Sequence, residues 1–427
     1  MSRNTKEKLM TIGHRNHSLR TLATLALAAV FLIAPSSSRA QQECGDLDNN
    51  GVVGATDALR LLQKAIGIDL ALSCPGVEGG PFDASGILNE FAEETVFLSY
   101  RDLADEGAEL GALIARLTET VNADNLEAAQ AAWRETRVPW EASEGFLFGP
   151  VDELGLDPRL DSWPVNKTDL DNILESSADL TDPNVIALLD NTVKGFHTIE
   201  YLLFDDGTGT AGTNFIGNRD TASIVTALTN DPRRLEYLIG VTTNLTETAD
   251  ELADAWDPSD GNFAAEVSEA GKGSTRWLSQ RSALQEIIEA IAGIADEVAN
   301  GKISDPFFEA NPTLVESQFS FNSLADFTNN IESIRNVYEG ANPLGCSSTG
   351  LSSYVITVDA ALDARIRSEI QAAIDAIGAI AFPFRDSITN PAEAADIQAA
   401  IDAINLLRAT IEGDLFDAVV NDGEFAF

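Results

Sequence analysis

The chain has 427 residues, 44% of them apolar, with 27 basic and 68 acidic side chains and a formal net charge of −41. Such a surplus of negative charge repels nucleic-acid phosphates and anionic lipid, which excludes nucleic acid as a partner. The ordinary apolar content excludes extensive disorder, and the length exceeds the usual size of one domain. The N-terminus carries Arg3, Lys6, Lys8, Arg15 and Arg20, then an apolar run over 21–34, then small residues ending Ser37-Ser38-Arg39-Ala40. That order is the order of a signal peptide, with cleavage expected after Ala40. The apolar run is shorter than the ~20 residues of a spanning helix. Export to the periplasm or outer envelope, or secretion, is therefore expected. Without residues 1–40 the chain keeps 21 basic and 67 acidic side chains, a net charge of −46. Cys44 and Cys74 could close a loop in an oxidising compartment, which would leave Cys346 over.

Residues 46–57 carry the next pattern. Asp46, Asp48 and Asn50 place side-chain oxygens at loop positions 1, 3 and 5, and Gly51 takes the sharp turn at position 6. Val52 offers a backbone carbonyl at position 7 and Asp57 a carboxylate at position 12. A calcium ion needs this spread of oxygens. An EF-hand has Glu at position 12; with Asp57 there, the stretch resembles a dockerin-type repeat. A calcium-loop module over 41–76 is the expectation. An Asx-rich turn capping the helix at 58–67 is the metal-free alternative. Dockerins pair two repeats, and residues 82–86 lack the full ligand series, which argues against a cohesin partner. Residues 76–80, between Pro75 and Pro81, read as a linker.

Beyond the linker, apolar residues recur at helical spacing. Helices are expected near 86–120, 123–135, 168–178 and 183–204. Pro139 should interrupt or kink its helix, and an irregular aromatic and Pro-rich connection should fill 145–166. A Gly-, Thr- and Asn-rich stretch reads as a linking loop at 205–222. Further helices follow near 219–256, 279–300, 323–338, 351–377 and 392–419. Alternation of the β type is scarce. The expected fold is all-α, with helical bundles at 77–204 and 223–427.

His14 and His17 fall in the expected signal peptide, so His197 is the one histidine of the mature chain. This excludes two-histidine zincins and a three-histidine zinc site in one subunit. There is no Gly-x-Ser-x-Gly elbow, phosphate loop or dinucleotide fingerprint. Glu200 lies three residues beyond His197 and on the same helix face. The two can share a divalent metal, or the carboxylate can orient the imidazole. The plainer reading is a helix-edge histidine beside an acidic neighbour. Gly195 permits close approach of another helix or a ligand. Glu141 and Glu144 stand three apart beside Arg137, among aromatics. If they face His197, the ligand set becomes Glu141, Glu144, His197 and Glu200, which suits iron or manganese better than copper or structural zinc. Otherwise they are exposed and merely favour a helix start.

The segment Lys194-Gly195-Phe196-His197-Thr198-Ile199-Glu200 closely resembles the Gly-x-His-x-x-Glu signature of the imelysin-like family, which includes the insulin-cleaving membrane protease and proteins tied to bacterial iron uptake. Pro139-Trp140-Glu141, Asp161-Ser162-Trp163-Pro164, Glu316-Ser317-Gln318-Phe319-Ser320, Asp326 and residues 336–340 follow the family pattern in order, over roughly 87–420. The resemblance implies two related helical bundles packed together, with the signature near their interface, in an exported protein. It also implies the candidate roles. The leading one is binding of a divalent or ferric ion in iron acquisition. The alternatives are a metal-dependent peptidase, with a His197–Glu200 metal activating water and Glu141 or Glu144 as base, and a non-catalytic envelope protein receiving a small ligand or peptide, with a transport partner. Gln318 stands where the family pattern has Arg, which removes a fixed positive donor.

Overall fold

Long amphipathic helices joined by short turns make up the computed structural model, which describes residues 81–209, 216–341 and 349–426. The expected signal peptide, the calcium-loop residues Asp46, Asp48, Asn50, Val52 and Asp57, and all three cysteines lie outside the described residues. Among the described residues there is no strand; Phe82 and Phe425 form an isolated bridge, and the all-α expectation is met.

The first long helix, α1 (Phe97–Glu119), is entered through Ser85–Glu90 and a π-helical turn, Phe91–Val96. It buries Tyr100, Leu103, Leu110, Ile114 and Leu117, an apolar stripe at three- and four-residue spacing. Helix α2 (Ala123–Glu141) starts where the Asn122 side chain accepts from the Asn125 N–H. The expected break at Pro139 does not occur there. The helix runs on to Glu141, and Ala142 still donates to the Val138 carbonyl at 3.0 Å. With Pro139 in the last turn, its missing N–H deprives only the Glu135 carbonyl of its usual donor, and the chain then tightens into the 3-10 turn Glu144–Phe146.

The connection that follows holds a short helix, α3 (Asp157–Asp161). The expected helix over 183–204 is divided into Pro183–Ala187, a 3-10 turn Asn191–Val193 and α4 (Gly195–Phe204). Gly195 has φ +74, and a Cβ there would fall 2.2 Å from the Leu160 carbonyl oxygen. Only glycine allows that backbone and that approach, so the helix begins at Gly195.

Helix α5 (Pro232–Trp256), capped by the Asp231 side chain, covers α1 together with α2, and α4 lies against α2 and α5. The other helices form a second packed group. They are α6 (Gln280–Asp296), extended by a π-helical stretch Glu297–Ser304, α7 (Ser323–Glu339), α8 (Ala360–Ala379) and α9 (Ala394–Thr410). Within it α8 packs on α7 and α9, and α6 on α7 and α9. The two groups meet where α2 and the Glu144–Phe146 turn pack against α7 and α6. That seam carries most of the buried charge of the described residues.

Candidate metal centre

The approach of Gly195 to Leu160 fixes α3 against the start of α4. As a result Asp161, the last residue of α3, puts Oδ1 3.0 Å from His197 Nε2. The opposite ring nitrogen, Nδ1, faces Glu200 Oε2 at 3.0 Å, across one turn of α4. The other oxygen of Glu200 is fully engaged. It accepts from the Phe319 N–H (2.9 Å), the Ser320 N–H (2.7 Å) and the Ser320 hydroxyl (2.8 Å). Those donors come from a turn in which Ser317 (φ +49) and Phe321 (φ +63) occupy the left-handed region. The turn is held by Ser317 Oγ donating to Asp326 and Ser323 Oγ donating to the Glu316 carbonyl, each at 2.5 Å. Glu200 thus orients the imidazole, and Nε2 points toward Asp161 and Glu316, the latter at 3.7 Å.

Arg137 lies beneath this group. Its guanidinium reaches Asp161 at 2.6 Å, Glu316 at 3.2 Å, Asp326 at 3.5 Å and also Glu141. The Trp140 indole N–H donates to the other Asp161 oxygen at 2.6 Å. On the far side of Glu316, Lys302 from the π-helical stretch contacts Glu144 (2.7 Å), Glu316 (3.2 Å) and Glu141 (3.5 Å). Asn330 donates to Glu141 Oε2 at 2.5 Å and to Glu144 at 3.0 Å.

The sequence-expected residues therefore share one cluster, but in different positions. Glu141 and Glu144 are buried beside Lys302 and Asn330 rather than exposed. Two sets of side chains bring ligand atoms within 4.8 Å of one another: Asp161, His197 and Glu316, and Glu141, Glu144 and Asp161. Glu200 belongs to neither set, and Ser317 acts through the turn. Sequence reasoning did not select Asp161 or Lys302 as site residues. Asp161 had a signal in Asp161-Ser162-Trp163-Pro164; Lys302, among Asn300, Gly301 and Ser304 just past the expected helix, had none.

Electrostatics separate the members. Burial alone would raise Asp161, yet Arg137 and then His197 hold its carboxyl far below the usual range. Burial likewise opposes ionisation of Glu316, but Lys302, His197 and Arg137 bring it down to about 2. Burial disfavours the His197 imidazolium, and Asp161 outweighs it, so His197 is raised well above its ordinary value. Glu144 and Asp326 go the other way, pushed up chiefly by burial. In the core of the site five buried carboxylates, Glu141, Glu144, Asp161, Glu316 and Asp326, contact two fixed cations, Arg137 and Lys302, and a sixth, Glu200, lies against His197. Burying unpaired negative charge is costly, so protons or a further cation must offset the excess.

The donor set fits a metal ion. His197 Nε2, though 3.0 Å from Asp161, makes no hydrogen bond of acceptable angle, while Glu316 Oε2 is ion-paired with Lys302 at 3.2 Å. One imidazole nitrogen with carboxylate oxygens suits iron, manganese or zinc. A cavity of about 210 Å³, lined by Glu144, Leu147, Asp157, Asp161, Trp163, Glu297, Lys302 and Glu316, adjoins these groups, with Glu297 exposed at its edge.

The imelysin family model matches residues 97–411, which span every one of these side chains. The chain belongs to the imelysin family. Among curated relatives, iron-regulated protein A of Synechococcus elongatus is 27% identical over 372 residues, covering 84% of this chain and 95% of that protein. Among solved structures, a Parabacteroides distasonis protein assigned as an iron-regulated protein A precursor superposes with a TM-score of 0.68 at 26% identity. That match covers 81% of this chain and 97% of the other. An imelysin-like protein from Psychrobacter arcticum shares the fold, with a TM-score of 0.61 over 80% of this chain and 95% of its own, at 13% identity. Within the matched region Gly195 makes the close approach to Leu160, and the His197 ring is held between Glu200 and Asp161.

Proposed function

We propose that this imelysin is an exported metal-binding protein that takes iron, or another divalent or ferric ion, in iron acquisition. The ion is held by His197 Nε2 with Asp161 and Glu316. Glu200 orients the imidazole, and Glu141 and Glu144 add negative charge to the well. The observation that carries this reading is geometric: a buried imidazole nitrogen 3.0 Å from Asp161 and 3.7 Å from Glu316, with ligand atoms of all three residues within 4.8 Å of one another. Two similar proteins are named iron-regulated protein A, one as a precursor. The leader-like residues 1–40 agree with export, and no described helix is long and apolar enough to cross a membrane. A peptidase would need a carboxylate free to act as base. Glu141 and Glu144 are engaged by Lys302 and Asn330, which favours binding over cleavage. The calcium loop at Asp46, Asp48, Asn50, Val52 and Asp57 is a separate structural site in this proposal.

The test uses untagged protein and titration calorimetry with ferrous, ferric, manganese and zinc ions. One equivalent should bind in the parent chain and be lost in His197→Ala and Asp161→Asn. Binding that is unchanged in both variants sinks the site. Calcium binding should vanish separately in Asp46→Ala and Asp57→Ala.

A further inference from the structure

Lys302 is only 5% exposed, and a lysine is almost never that buried unless paired. It reaches the seam from the π-helical stretch Glu297–Ser304, a distortion that often re-aims a side chain at a functional site. Its ammonium lies 2.7 Å from Glu144 and 3.5 Å from Glu141, two of the three residues of the second ligand set, whose third member is Asp161. Asn330 donates to both glutamates as well. Its amide oxygen is buried without a donor. An oxygen donor left over beside two carboxylates is what a cation would use.

We propose that the carboxylate well contains two cation positions sharing Asp161, and that Lys302 fills the second with its own ammonium. The neighbouring Asp161–His197–Glu316 position, of which Lys302 touches only Glu316 at 3.2 Å, is thereby left as the one exchangeable metal site. The inference rests on the metal-binding reading for that neighbouring position, but its own content is the Glu141–Glu144–Asp161 position. Lys302 and a metal ion there compete, because the ammonium already contacts both Glu141 and Glu144. The tethered charge also lowers the attraction of the well for a second ion. Lys302 therefore sets stoichiometry: one metal per chain, with the second charge supplied covalently.

The experiment counts bound manganese in untagged full-length protein from the loss of the free-ion paramagnetic resonance signal. Only differences between variants are read, which cancels weak binding elsewhere on the acidic surface. Lys302→Met should gain one equivalent, bound at least about tenfold more tightly than any further equivalent in the parent, since a buried charge has been removed. Lys302→Arg, which keeps the charge, should gain none. Lys302→Met combined with Glu144→Gln should lose the gain, and Lys302→Met combined with His197→Ala should keep it. A folded Lys302→Met that binds as many ions as the parent overturns the proposal. If Lys302→Met folds only with manganese present, and the Glu144→Gln double variant is not rescued, the proposal stands; absence of rescue in Lys302→Met overturns it. A parent that binds nothing beside a Lys302→Met that gains an ion refutes the His197 site alone. A parent with one His197-dependent ion beside a Lys302→Met without gain refutes the Lys302 position alone.

Discussion

Glu200 does two things with two oxygens, and only one of them could be seen from its own helix. The three-residue spacing to His197 made their pairing legible. The engagement of the second oxygen by the Phe319–Ser320 turn was not, because that turn lies far along the chain. Glu200→Gln keeps an acceptor for the turn but loses the charge and sets an amide against His197. Denaturant unfolding should show a loss of roughly 1.5–3 kcal/mol, the range for hydrogen bonds to a charged group. Metal affinity should fall by about 10–100-fold, as for other residues that orient a ligand. Gly195 was expected to allow close approach, and its neighbour proves to be the Leu160 carbonyl. Gly195→Ala imposes both a strained backbone and a clash with backbone atoms. A loss of more than about 3 kcal/mol is expected in the same assay, with weaker metal binding because α3 must shift. A stability change within error would refute this account of the α3–α4 contact.

Among the elements, α3 shows how little of a site a local pattern reveals. Its five residues carry Asp157 and Asp161 one turn apart, on a stretch expected to be irregular. Their environments drive them in opposite directions. Burial raises Asp157 to about 6, reinforced by Asp161, Glu297 and Asp152 and opposed by Lys302. Arg137 and His197 hold Asp161 low against the same kind of burial. Folded Asp157 keeps its proton up to about pH 6, while the unfolded chain releases it near 3.8. Its contribution to stability therefore declines as pH rises through that window, reaching a cost on the order of 2–3 kcal/mol above it. Asp157→Asn removes the cost. Melting temperatures should rise in that variant at pH 7 and match the parent at pH 4; equal shifts at both values would refute the assignment. Glu316 runs the other way. Its depressed value gives stability that is present above the unfolded value of 4.5 and lost as pH falls toward about 2. No spacing in the sequence could assign these signs, because they depend on which distant cations are packed alongside.

For the molecule as a whole, apolar periodicity located nearly every long helix, since that periodicity is local. It could not say which helix covers which. That α5 covers α1, beyond the Gly-rich loop, follows from the matching of faces across the fold. Charge acts at this scale too. With 68 acidic side chains against 27 basic ones, self-repulsion opposes compaction. Adding monovalent salt from ~0.01 M to ~0.15 M shortens the screening length from about 30 to 8 Å, so the melting temperature should increase. A decrease would mean that specific ion pairs outweigh the general repulsion. The buried seam has a mechanical meaning as well. Arg137 grips Asp161 on its own helix group and Glu316 and Asp326 on the other, while Lys302 reaches back to Glu141 and Glu144. The seam is a clasp closed from both sides, and neither group can swing away without stranding charges in an apolar interior. Opening it is therefore one event for both halves, and any ion caught inside is released by the same motion.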